Sequence, residues 1–332
     1  MLSELSDFEH IDVESPEEAV YWLTKYGDKA KIIAGGTDLL GLMKDKIVGP
    51  KMPMPTLIVN IKTIPGFDRI EYVGGKGLRI GAATTLFDIE SDDKIKERFL
   101  ALSQAAESVA TLQIRYTGTI GGNLCQRPWC SYFRHPDYVC FKRGGKQCYA
   151  ITGNNRYYFS ILKRGICVMS HPSDIAPALI ALDAKIHVLQ QDGERTIPIE
   201  EFFLGPRSVQ ETVLKDNDLI TSIEVPETDE GSRSLFLKSR VRNNWDFALS
   251  TVAVWIKNSA GVCDDLRIAL GGVAVFPFRA KESEELLRGK RITKKLIEEA
   301  AEAAVLKAAP LKMNTYKVKL TKSLVRRALQ SV

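Results

Sequence analysis

Two paired glycines govern what this chain can build. The first pair stands in Ala34-Gly35-Gly36-Thr37-Asp38, directly after the short apolar run Lys31-Ile32-Ile33-Ala34. The second stands in Thr119-Ile120-Gly121-Gly122-Asn123, after a long stretch with helical spacing of apolar residues. Glycine lacks a Cβ and tolerates positive φ, so such a pair lets backbone N–H groups converge on an anion. The first turn would leave a strand and enter a helix, where the helix dipole also favours negative charge. In the second turn the Thr119 hydroxyl and Asn123 amide would add donors. Neither segment matches the dinucleotide fingerprint G-x-G-x-x-G or the phosphate loop. Taken singly, each is equally a tight turn with Asp38 or Asn123 as a local cap.

Around these turns the pattern predicts two further kinds of unit. Ser15-Pro16 with Glu18 opens a helix over 15–27, and Gly27 closes it. Short apolar runs at 31–34 and 56–61 read as strands, with a short helix through Met43 between them. The first lobe therefore covers 1–62. A second lobe, 63–228, holds a strand at 78–82, helix over 87–112, a short helix at 174–182, a hairpin at 185–198 and a strand at 219–225. From about 229 an antiparallel meander precedes three helices, at 281–288, 293–308 and 315–330, which is an α+β order. Residues 126–170 break the pattern. They are rich in Cys, Arg, Tyr and Gly, show no sustained period, and are long enough to be functional.

The bulk properties exclude several classes. A chain of 332 residues, 45% hydrophobic, buries full cores in two or three domains. The net charge of +5 is spread along the chain, which argues for a solvated basic surface and no nucleic-acid partner. The start, Met1 to Asp7, lacks the basic and apolar regions of a secretory signal, and no run approaches the ~20 apolar residues of a membrane span. A cytoplasmic protein is expected, unless a partner carries an export signal. Five of the six cysteines fall between 125 and 167. In a reducing compartment such a cluster favours metal or redox chemistry over structural disulfides.

Lys31 to Leu39 together with Thr119 to Leu124 resembles the paired FAD signature of the molybdenum hydroxylase flavoproteins. That family includes the FAD subunit of carbon monoxide dehydrogenase and the FAD domain of xanthine dehydrogenase. Asp174 in His171-Pro172-Ser173-Asp174, Ile220 before Ile223-Glu224-Val225-Pro226, and Lys238 in Phe236-Leu237-Lys238 are similar to further flavin-site positions. The resemblance runs over nearly the whole chain. It implies α+β architecture: a two-lobed FAD-binding domain of the PCMH type followed by a C-terminal domain. It also implies roles. Lys31, Ile32, Ile33, Ala34, Gly35, Gly36, Thr37, Asp38 and Leu39, with Thr119, Ile120, Gly121, Gly122 and Asn123, would cradle the pyrophosphate and ribityl chain. Asp174 would bond a polar group of FAD, Ile220 would pack on the flavin, and Lys238 would lie near its polar edge. Alone, these three read as a helix N-cap, a core residue and a solvated strand lysine.

Cys130, Cys140, Cys148 and Cys167 are spaced C-x9-C-x7-C-x18-C. This matches neither zinc knuckles nor bacterial ferredoxins. From spacing alone a metal or Fe–S site, zinc, regulatory disulfides and free thiols all stay open. The segment resembles the insert that holds a [4Fe–4S] cluster in the flavoprotein subunits of 4-hydroxybenzoyl-CoA reductase and periplasmic aldehyde oxidoreductase. The resemblance implies those four cysteines as ligands, with Cys125 a packed thiol and Cys263 a core or surface thiol. His135 and His171 read as polar loop residues with a ligand or relay role as the alternative. The resemblance further implies a large molybdenum-cofactor subunit and a small [2Fe–2S] subunit as partners, in a dimer of heterotrimers, with no catalytic residue here. The competing readings are a stand-alone FAD oxidoreductase using NAD(P)H or a quinone, and a zinc-stabilised binding module.

Overall fold

Helix α1 (Pro16–Tyr26) forms because its end is capped twice: the Ser15 hydroxyl accepts from Glu18 N at 3.1 Å, and the Glu18 carboxylate accepts from Glu14 N at 3.0 Å. Its apolar stripe, Ala19, Val20 and Leu23, packs on a three-stranded parallel sheet, order β1-β3-β2, of β1 (Glu9–Asp12), β2 (Ala30–Ile33) and β3 (Leu57–Asn60). Helix α2 (Leu39–Lys44) follows the first glycine turn. The computed structural model describes residues 5–332, so the first four residues of the segment read for a leader lie outside it.

The next unit is a five-stranded antiparallel sheet, order β4-β5-β8-β6-β7. Its strands are β4 (Ile70–Val73), β5 (Gly77–Gly81), β6 (Lys185–Gln190), β7 (Gly193–Pro198) and β8 (Leu219–Val225). Helices α3 (Leu86–Ser91), α4 (Asp93–Arg98), α5 (Leu100–Glu107), α6 (Leu112–Thr117), α7 (Ile120–Cys125), α8 (Ile175–Ala181) and α9 (Ile199–Phe202) complete it. The helical stretch expected over 87–112 is therefore three helices and the start of a fourth. Asp92 breaks the first: its backbone is extended and its carboxylate accepts from Ile95 N at 2.9 Å, which starts a new helix.

A second antiparallel sheet, order β12-β11-β10-β9, is built of β9 (Ser232–Ser239), β10 (Ser250–Ser259), β11 (Val262–Gly271) and β12 (Phe278–Arg279). One face packs on α10 (Lys281–Leu287), α11 (Lys294–Ala303) and α12 (Tyr316–Ser331) through Val252, Val254, Leu266 and Val325. Residues 126–170 contain no α-helix or strand and carry their own small core of Cys130, Phe133, Ala150, Phe159, Val168 and Met169. Leu42 of α2 and Leu311 close it, so the insert is wedged between the first unit and the C-terminal helices. Among the described residues no helix is long and apolar enough to cross a membrane.

Candidate functional site: two glycine turns and a cysteine cavity

The two turns lie back to back. A Cβ on Gly35 would stand 2.1 Å from the Thr117 carbonyl oxygen and 2.9 Å from Gly118 Cα, so only glycine lets the first turn seat on the entry to the second. Gly36 takes φ +66°, in the left-handed region. The backbone N–H groups of Gly35, Gly36, Thr37 and Asp38 find no acceptor among the described residues. Four successive open donors of this kind form an anion nest.

The second turn differs from expectation. It is already the first turn of α7, and the 82–84 segment and the Thr119 cap engage its amides. Ile120 N donates to Thr84 O and Gly121 N to Ala82 O, both at 3.0 Å; Gly122 N donates to Thr119 Oγ1 at 3.3 Å, and Asn123 N to Thr119 O at 2.8 Å. It offers a bare wall instead of donors. Gly122 is exposed, and a Cβ there would meet only Thr119 Oγ1, at 3.1 Å.

The second turn is tied to the Asp174 segment, since Ser173 Oγ donates to Asn123 Oδ1 at 2.6 Å. Asp174 is not the helix cap that its position suggests. Its carboxylate instead meets Lys238 Nζ at 2.5 Å, and both side chains are buried. Burial pushes the Asp174 carboxyl up, and Lys238 opposes that shift. Lys238 also donates to Ser108 O at 3.0 Å. It is thus a desolvated, paired lysine and not a solvated one. Ile220 is 5% exposed within the core of the five-stranded sheet. Lys31 pairs with Asp216 at 3.2 Å through an exposed contact, so its ammonium is engaged outside the nest. Ile32 and Ile33 are half-buried in β2, and Leu39 begins α2.

Asp38 points to the insert. Its carboxylate accepts from Arg127 N at 2.8 Å and is ion-paired to Arg134, whose guanidinium lies 4.0 Å from the centre of the Trp129 ring. The flavin-type turn and the cysteine segment are thereby clasped together.

Cys130, Cys140, Cys148 and Cys167 all line one pocket, walled by Pro128, Tyr132, Phe133, Phe159 and Met169. The fold thus converges four thiols that the sequence separates widely. Among the described residues no three His, Cys, Asp or Glu side chains stand close enough to be grouped around a metal ion. A single tetrahedral zinc needs sulfurs about 3.8 Å apart, from Zn–S bonds of ~2.3 Å, whereas a cuboidal cluster spreads its four sulfurs around itself. Four thiols in an apolar wall are the donor set such a cluster would take. Burial pushes Cys130 up to about 11 and Cys167 up to about 12, so ligation would have to release their protons. Met169 N donates to Cys167 Sγ at 3.4 Å.

Arg143 organises this loop, and the sequence reading passed over it. It is fully buried and donates to four backbone carbonyls: Val48 at 2.7 Å, His135 at 2.7 Å, Tyr138 at 3.0 Å and Pro136 at 3.1 Å. Lys142 and Glu211 were also passed over; they form a buried pair at 2.7 Å beside Cys167. A basic pair inside an aromatic, glycine-rich insert was the available signal. Cys125 ends α7 and lines no part of the cavity. Cys263 is buried in β11. His135 is an exposed loop residue. His171 is buried, and its Nε2 has no partner among the described residues.

This fold and these turns are those of a flavin-binding subunit, and comparison with known proteins agrees. Residues 6–228 match the FAD binding domain in molybdopterin dehydrogenase, and residues 235–332 match the CO dehydrogenase flavoprotein C-terminal domain. The chain belongs to the molybdenum hydroxylase family as a FAD-binding, oxidoreductase subunit. It is 32% identical over 320 residues to the aldehyde oxidoreductase FAD-binding subunit PaoB of Escherichia coli (strain K12), covering 95% of each chain. It is 29% identical over 329 residues to the carbon monoxide dehydrogenase medium chain of Hydrogenophaga pseudoflava, covering 98% of this chain and 96% of that one. A solved carbon monoxide dehydrogenase from Hydrogenophaga pseudoflava, lacking the Mo-pyranopterin moiety, superposes with a TM-score of 0.79 at 28% identity over 98% of this chain and 97% of that one. The two-lobed FAD-binding fold with a C-terminal α+β domain is thus the architecture of this chain.

Proposed function

We propose that this chain is the electron-transfer subunit of a multi-subunit molybdenum-cofactor oxidoreductase. On this reading it holds FAD at residues 31–39, around the nest, with 119–123, Asp174, Ile220 and Lys238 beside it, and a [4Fe–4S] cluster on Cys130, Cys140, Cys148 and Cys167. The observation that carries the reading is the clasp: Asp38 of the open nest grips Arg134 of the segment whose four cysteines line one cavity. When bound, FAD exchanges two electrons and the cluster one at a time, so together they join a two-electron reaction to one-electron wiring.

The chain's own residues bind, orient and exclude water. The four open amides from Gly35 to Asp38 would hold the pyrophosphate, and bare Gly122 would let it approach. Lys238, held in place by its ion pair with Asp174, would donate to the polar edge of the flavin. Phe133, Phe159 and Met169 give the cysteine pocket an apolar wall. Substrate chemistry falls to a large molybdenum-cofactor subunit and relay to a small [2Fe–2S] subunit, in a dimer of heterotrimers. The names of the relatives, medium chains and a FAD-binding subunit, support such an assembly. The same reading divides the chain at about residues 62 and 228, and its unpaired thiols suit the cytoplasm.

Anaerobic purification with the neighbouring subunits tests it. The expected product shows flavin absorbance, a bleachable Fe–S shoulder and a molybdenum-containing partner. A colourless protein, or one that never associates with a molybdenum subunit, contradicts the reading.

A further inference from the structure

Three charged side chains beside the cysteine cavity, those of Lys142, Arg127 and Glu211, neither line the nest nor offer a ligand to the cluster. Lys142 lines the cavity next to Cys140 and Cys167, with its side chain 8% exposed. Its Nζ donates to Val209 O at 2.6 Å and to Glu211 Oε1 at 2.7 Å. Arg127 approaches the other oxygen of Glu211 at 3.6 Å, and its guanidinium lies 5.3 Å from the centre of the Phe133 ring, another wall of the cavity. Two cations therefore share one carboxylate, which leaves the wall net positive. Little water screens these charges, so they act strongly across the wall.

We propose that Lys142 sets the reduction potential of the group held by the four cysteines, with Glu211 as its counterweight. The inference rests on the cluster reading above. One-electron reduction adds negative charge to a thiolate-bound cluster, and a fixed cation in its wall favours that form, while a carboxylate disfavours it. The two side chains therefore have opposite signs of effect. Lys142 touches no substrate; it acts on the electron acceptor alone.

The test is a potentiometric titration of the full chain with its partner subunits, following the cluster by electron paramagnetic resonance and FAD by absorbance. Lys142→Met is expected to shift the cluster potential to more negative values and Glu211→Gln to more positive values. Lys142→Arg stays near wild type, and the FAD potential does not move in any variant. A cluster potential unchanged in Lys142→Met, or shifted in the same direction in both variants, overturns the proposal. If Lys142→Met fails to fold, Glu211→Gln decides it alone: no positive shift overturns it. A wild-type protein without iron sinks the cluster reading and this inference together. A wild-type protein with a cluster and unmoved variants sinks only this one.

Discussion

Gly35 and Gly122 predict opposite failures when each is changed to alanine. At Gly35 the new Cβ would sit 2.1 Å from Thr117 O and 2.7 Å from Thr117 C, and both are backbone atoms that cannot rotate away. The turn must retreat by roughly 1 Å, an overpacking that costs about 3 kcal/mol. For a unit of this size that lowers the midpoint of thermal unfolding by about 8 °C. At Gly122 the Cβ meets only the Thr119 hydroxyl, at 3.1 Å, and the residue is helical. Alanine there stabilises the apo-protein by up to about 1 kcal/mol, because it loses less backbone entropy than glycine. Its methyl group nevertheless stands on the wall that FAD would approach, so FAD affinity falls tenfold or more, about 1.4 kcal/mol. Thermal unfolding of both apo-proteins and calorimetric FAD titration separate the two effects. A Gly122→Ala protein with wild-type FAD affinity refutes the site, and a Gly35→Ala protein with unchanged unfolding refutes the packing.

Further predictions concern the insert. Arg143→Met strands four carbonyls, destabilises the protein by about 3 kcal/mol or more, and lowers iron content before FAD content; urea unfolding and metal analysis check this. Asp38→Asn leaves Arg134 partly buried without its carboxylate, costs about 2 kcal/mol, and speeds proteolysis within 126–170, seen by mass spectrometry of the fragments. Burial pushes His171 down to about 4, with the Glu211 charge opposing. The folded state thus takes up its proton later than the unfolded chain, whose histidine titrates near 6.5. The stability involved is complete above pH 6.5 and is lost as pH falls towards 4. Apo-protein should lose about 2 kcal/mol between pH 7 and pH 5, and His171→Gln should flatten that slope.

Much of this was legible locally. The capped helix after Ser15 and strand Leu219–Val225 follow from periodicity and capping, and both stand where expected. Strands Glu9–Asp12 and Ile70–Val73 escaped notice because each is four residues long and neither has a buried residue to mark a period. The break at Asp92 depends on one side-chain bond, which competes with an otherwise continuous helical pattern. The site was less legible, for a physical reason. Asp38 grips a residue 96 positions away, and Arg143 acts through carbonyls that carry no side-chain identity. Even the paired glycines were only half readable: the first turn keeps its amides open, while the second gives its amides to the 82–84 segment and the Thr119 cap.

The most direct test is the FAD and iron content of one anaerobic preparation of the full chain, wild type beside Cys140→Ser. The account predicts one FAD and about four irons per wild-type chain, with the variant losing the iron and keeping the FAD. Wild-type chain that binds FAD without iron, or a variant with unchanged iron, would contradict it.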